Sequence, residues 1–321
     1  MRRRGFLALL APLTAGCLGG VQVSREGAQS TPEEGGETTP TPTATPADDE
    51  TATPTPDPEP ASTAGDERTA ARRLRVAEDR IAAAVSAFGD GGGLGDVTAD
   101  EAFVARDVYV ELVRASGAVE EARARASTDA QTERARALSG AVAFLSHATA
   151  GQAAMAAGHR AIVEVPEALR SGDVGRARAL VDELGTHRRE LERAASLVRS
   201  ESSDTDVEAT DAVADDARRL KLAQFDAAVT ALDDAARPVR SLVDGVQRLV
   251  EARAVAADYD NDDASSIASD AETVLDDAEN DLSALADDLP TEAAAFADAI
   301  DRLATYADDR SNEAGDIRRA Y

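Results

Sequence analysis

The chain has 321 residues with 61 Asp+Glu against 34 Lys+Arg, a net charge of −27, and no Trp among only 3% aromatic residues. No basic patch is available to neutralise phosphates, which excludes nucleic acid as a partner, and a lone cysteine excludes disulfides and Cys-ligated metal sites within the chain. Hydrophobic residues make up 43%, much of it Ala, and Ala combines the highest helix propensity with little buried area per side chain, so long helices lying closely side by side are expected.

The first seventeen residues have the layout of an export signal. Arg2-Arg3-Arg4 forms a basic start, Phe6 to Leu13 a short apolar stretch, and Thr14-Ala15-Gly16 lead to Cys17. The apolar part is far shorter than the ~20 residues a spanning helix needs, and Pro12 interrupts it. Arg3-Arg4-Gly5-Phe6-Leu7 matches the twin-arginine pattern R-R-x-F-L. Thr14-Ala15-Gly16-Cys17 has the small-residue spacing of a lipobox, with Thr14 where leucine is common. Together these motifs resemble the signals of haloarchaeal twin-arginine-exported lipoproteins, over about the first twenty residues. The resemblance implies a signal peptide at 1–16 and a glycerol lipid on the Cys17 thiol. It also implies a location on the extracytoplasmic face of the cell membrane. A two-chain lipid would hold the protein stably where one chain would not. Removing Arg2, Arg3 and Arg4 with the signal deepens the charge from −27 to −30. Lys221 is the only lysine. Such an acidic, lysine-poor chain resembles proteins of extreme halophiles, in which molar salt screens the self-repulsion.

Residues 17–65 read as the lipidated cysteine followed by a disordered Thr/Pro-rich stalk. Its core, TTPTPTATPADDETATPTPDPEPASTA, keeps the backbone extended and buries nothing. As a flexible coil the tether would span ~40 Å, and fully extended roughly 140 Å.

Residues 66–321 show helical periodicity and no sustained alternation, so the expected fold is all-α: an extended bundle of six to eight helices, in two halves, 66–200 and 207–321. Leu74, Ala77, Ile81, Ala84 and Phe88 form one stripe. Thr98 and Glu101 have capping-box spacing ahead of a second helix with Val104, Val108, Leu112, Ala115 and Val119 on one face. A third helix is expected from Thr128 to Val165, just before Pro166. Ala137–His159 within it holds no Asp, Glu, Lys or Arg, the mark of a central helix surrounded by its neighbours. Residues 168–173, followed by Ala177, resemble the turn of a tetratricopeptide hairpin, although no ~34-residue recurrence accompanies them. A fourth helix carries Ala177, Val181, Leu184, Leu191 and Val198. A long segment from Val207 to Ala257 is expected to bend or break at Pro238. The last two helices carry Ile267, Val274, Ala278 and Leu285, then Phe296, Ile300 and Leu303. A faint internal similarity aligns 158–169 with 245–256.

Candidate chemistry is sparse. His147, Met155 and His159 recur at four-residue multiples and include side chains that ligate haem or copper, but no partner ligands are evident and ordinary packing is favoured. Asp258, Asp260 and Asp262 have the D-x-D-x-D spacing of a calcium loop. The glycine and glutamate of an EF-hand are replaced by Asp263 and Ser269, so a helix-capping acidic turn is favoured over a Ca²⁺ site. No nucleophile elbow, zincin or phosphate-loop motif is present. The expected function is therefore a lipid-anchored, non-enzymatic interaction or structural module with no cofactor and a protein partner in the cell envelope. The alternative is an extracytoplasmic ligand- or cation-binding protein.

Overall fold

The computed structural model describes residues 63–89, 93–201, 213–258 and 261–321. The motif residues Arg3, Arg4, Phe6, Leu7, Thr14, Ala15, Gly16 and Cys17 lie outside them, as do the 17–62 part of the expected stalk and Asp260. The described residues belong to one compact unit, Pro58–Tyr321. Seven α-helices make it up: α1 Thr63–Gly89, α2 Ala105–Arg123, α3 Asp129–Arg170, α4 Val174–Glu201, α5 Asp215–Ala257, α6 Asn261–Asp288 and α7 Ala294–Ala320. No strand occurs among the described residues.

Sequence neighbours pack on one another along the series, and α3 touches α1, α2, α4, α5 and α7. That central position follows from its composition. Of residues 137–159, only Ala150 is exposed, so almost no place remains where a charge would be solvated. The expected stripes on α1 and α4 are buried along their whole length. Two apolar clusters form the core. One joins α1, α2 and the first half of α3 around Ile81, Leu112, Leu138 and Phe144. The other joins the second half of α3 to α4, α5, α6 and α7 around Ile162, Leu184, Phe225, Leu242 and Ile300. They divide within α3 rather than near 200–206, most of which lies outside the described residues.

Several expected boundaries move. α3 does not stop before Pro166 but continues to Arg170. The proline removes one amide donor, yet the turn around it buries Ile162, Val165, Pro166, Ala168 and Leu169, and burial outweighs one lost bond. The helix ends where Gly172 takes φ +78. The Asp173 amide donates to the Ala168 carbonyl at 2.9 Å and the Gly172 amide to Leu169 at 3.1 Å, the paired bonds of a Schellman stop. Asp173 then caps α4, its carboxylate accepting from the Arg176 amide at 2.8 Å. The tetratricopeptide-like turn is thus one helical hairpin. Likewise α5 runs through Pro238 without interruption.

On α6 the expected Ala278 is buried, but the other three expected positions flank the buried line. Its buried line is Ala264, Ala268, Ala271, Leu275, Ala278 and Leu282, with Ile267, Val274 and Leu285 only half-buried beside it. Alanines on the contact line let α5 and α6 approach closely, and the branched side chains seal the flanks. The approach is tightest at Gly245, where a Cβ would sit 2.7 Å from Leu275 Cγ. Gly158, which the faint internal similarity aligns with Gly245, plays the same part on α3: a Cβ there would lie 2.8 Å from the Leu232 methyls on α5.

Candidate functional site

Between α1 and α2 the chain does not form the expected capped helix start. Thr98 donates its hydroxyl to Asp100 at 2.5 Å, and α2 begins only at Ala105, after Val104, with no side-chain cap. The reason lies in distant side chains that claim the carbonyls of residues 95–98. Gln224 Nε2 donates to the Gly95 carbonyl at 2.7 Å, Lys221 Nζ to Val97 at 2.6 Å, and Gln152 Nε2 to Thr98 at 2.8 Å. Lys221 also donates to Gln152 Oε1 at 3.0 Å. The segment from Gly93 to Val104 becomes a strap tied to α3 and α5.

The sole lysine of the chain is therefore 1% exposed. Its ammonium lies 5.5 Å from the Phe88 ring centroid and 5.9 Å from that of Phe225. Burial pushes its pKa down to about 7, opposed by the charges of Glu101 and Asp96. Gln224 Oε1 is buried without a hydrogen-bond partner among the described residues. Thr149, also buried, turns its hydroxyl back to the Leu145 carbonyl at 2.6 Å. Nothing in the local sequence singled out this network, since its partners are 54 to 129 positions apart.

The histidine stripe does not assemble a site. His147 and His159 are twelve positions apart, so helix geometry places them roughly 18 Å apart along α3 and about 120° apart around it. Met155 is buried in the core. His159 packs its ring edge-on against Phe296, centroids 5.6 Å apart, and burial lowers its pKa, opposed first by Asp100 and by a backbone hydrogen bond with Ala295. In the expected cation loop, Asp258 follows the last residue of α5 and Asp262 opens α6, where a carboxylate suits the helix dipole. No group of three His, Cys, Asp or Glu placed to hold a metal exists among the described residues.

Two surface features stand out from the acidic, ion-paired exterior. The first is on α2 and the strap end. Val104, Tyr109, Val110 and Val113 are four of the eight large apolar side chains exposed among the described residues, Val113 reaching 72%. Beside Val110, an open groove of about 760 Å³ between α1 and α2 is lined by Ala83, Ala87, Arg80 and Arg106. Arg80 is paired with Glu111 at 2.9 Å.

The second feature is a groove between α3 and α7 with two lobes that share Val163, Ala299 and Arg302. One lobe, of about 330 Å³, contains Pro166, Arg170 and Tyr306. Tyr306 is flanked by the guanidiniums of Arg170 and Arg310, each 5.2 Å from its ring centroid. The other lobe, of about 390 Å³, contains Asp100, His159, Ala294, Ala295 and Asp298. No described helix is long and apolar enough to cross a membrane. Comparison with protein-family models, curated proteins and solved structures finds no match.

Proposed function

We propose that this chain is a membrane-anchored surface lipoprotein whose helical unit is a non-enzymatic interaction module. The placement rests on the motif residues Arg3, Arg4, Phe6, Leu7 and Thr14-Ala15-Gly16-Cys17, with the Thr/Pro-rich stretch that separates them from the helices. The observation that carries the interaction reading is the valine ridge on α2. Tyr109, Val110 and Val113 are neighbours on one helix face, and with Val104 they make up four of the eight large apolar side chains exposed among the described residues. The groove beside the ridge carries Arg80 and Arg106 together with Asp107 and Glu111, so the ridge suits a cell-envelope protein presenting an apolar hollow with a polar rim of both signs.

Two measurements test the two halves of this reading. Cys17→Ser is expected to move the protein from the membrane fraction to the medium, or to leave an unprocessed precursor. A processed form that stays with membranes would contradict the anchor. Val113→Glu buries nothing in the isolated protein, so helicity should hold within error. Crosslinking on intact cells should lose its adduct with the envelope partner. An adduct that persists undiminished would remove the ridge from the interface. A second reading, small-ligand binding, is favoured by the α3–α7 groove.

A further inference from the structure

We infer that the lobe of the α3–α7 groove beside His159 is a binding site for a small aliphatic zwitterion of free amino-acid size. It goes beyond the α2 ridge and does not depend on it. The lobe presents both signs of charge around an apolar floor. The carboxylates of Asp100 and Asp298 and the guanidinium of Arg302 all line it. Val163, Ala294, Ala295 and Ala299 form the floor, and Val163 is 41% exposed there although it lies on the central helix.

The polar groups are available for a ligand. Neither a hydrogen bond nor an ion pair engages Arg302 or Asp298 among the described residues, although the two are one helical turn apart and could have paired with each other. Among the described residues Asp100 accepts only the Thr98 hydroxyl, leaving acceptor capacity on its carboxylate. A guanidinium recognises a carboxylate through parallel N–H donors, and two carboxylates flank an ammonium. The aliphatic side chain of the ligand covers Val163 and Ala299. A volume of about 390 Å³ admits such a molecule with some water, and lies at the lower end of ordinary small-molecule sites.

The strap makes this lobe a product of the tertiary fold. Asp100 follows two residues after Thr98, whose carbonyl is held by Gln152, and three after Val97, whose carbonyl is held by Lys221. The buried network therefore sets the position of one wall of the site.

Calorimetric titration of the full-length protein with L-leucine, at one fixed salt concentration, tests the assignment. Saturable binding is expected. Acetate and isobutylamine, each bearing half of the charge pair, should bind at least tenfold more weakly. Arg302→Gln and Asp298→Asn should each weaken leucine at least tenfold. Both residues are exposed, so circular dichroism of each variant should match the parent, and a matched spectrum removes misfolding as a cause. No saturable leucine binding, acetate binding as tight as leucine, or leucine binding unchanged in both variants would each overturn the proposal. These outcomes leave the crosslinking result at Val113 untouched, so the two readings fail separately.

Discussion

Lys221→Ala is expected to reduce the unfolding free energy by about 3–5 kcal/mol at pH 7. Truncation leaves the Val97 carbonyl and Gln152 Oε1 buried without a donor. It also opens a void between Phe88 and Phe225, the two rings that flank the ammonium. Lys221→Met keeps most of the volume but still leaves both acceptors without a donor, so the difference between the two variants isolates the cost of the void.

The pH dependence supplies a second readout with a definite sign. The folded pKa, about 7, lies below the ordinary lysine value of 10.5. Between those values the unfolded chain holds one proton more than the folded chain. Stability therefore rises as pH increases through that window, and it sits on its lower plateau below the folded pKa. From pH 7 to pH 9 the gain is about 2.3 kcal/mol, less than two full units at 1.36 kcal/mol each because the folded lysine is still half protonated at pH 7. Tyr109 and Tyr306, whose pKa values burial raises, oppose this gain only above pH 10. The low pKa of His159, also a result of burial, acts only below 6.5. Chemical denaturation at the two pH values should show the rise in the parent and its absence in Lys221→Met. Equal parent stability at pH 7 and pH 9 would mean that the lysine is solvated or fully compensated.

Dialysis from 1 M to 0.02 M potassium chloride should lower the melting midpoint sharply and reduce helicity. Salt acts on two opposed terms. It weakens the surface ion pairs that tie helices together, such as Arg134–Glu78 at 2.8 Å, Arg188–Asp233 at 3.2 Å and Arg237–Asp281 at 2.7 Å. Each of these is partly or largely exposed and contributes only about 0–1 kcal/mol. It also screens the repulsion among the carboxylates left over when every basic side chain is paired, the net −27 of the chain. That second term is spread over the whole surface. With a Debye length of roughly 3 Å at 1 M and more than 20 Å at 0.02 M, it changes by far more than a few exposed pairs. Repulsion is therefore expected to decide the sign. A midpoint that is unchanged or higher in dilute salt would reverse the ranking of the two terms.

Where side-chain period alone decides placement, the sequence was a sufficient guide. The stripe from Leu74 to Phe88 and the line from Ala177 to Val198 are buried as expected, because an amphipathic helix has one way to hide its apolar face. The uncharged run of α3 was equally legible. A helix with no place for a charge is a helix with no solvated side, and α3 touches five others. On α6 only Ala278 of the expected line is fully buried, for a related reason. Period identifies a face but does not weigh its residues, and the missing side chain of Gly245 leaves room for Leu275, which lies on the buried line.

Pro166 and the Thr98–Glu101 pair show a different limit. Local rules ended a helix before the proline and began one after the threonine, and both rules were overruled by partners far along the chain. Burial around Ile162 and Val165 carried α3 through its missing amide. Three polar side chains from α3 and α5 took the strap carbonyls that a helix would have used.

By itself the sequence determined the all-α class, the buried faces of most helices, the excess of negative charge and the motif series that ends at Cys17, since each depends on residue type and spacing within a few turns. Only the tertiary structure decided that the single lysine is buried, that the strap replaces a capped helix start, and that Asp100, Asp298 and Arg302 face one hollow. The physical reason is that a buried polar group is tolerable only when specific acceptors reach it. Those acceptors come from residues such as Val97, 124 positions away from Lys221, at a separation no local pattern records.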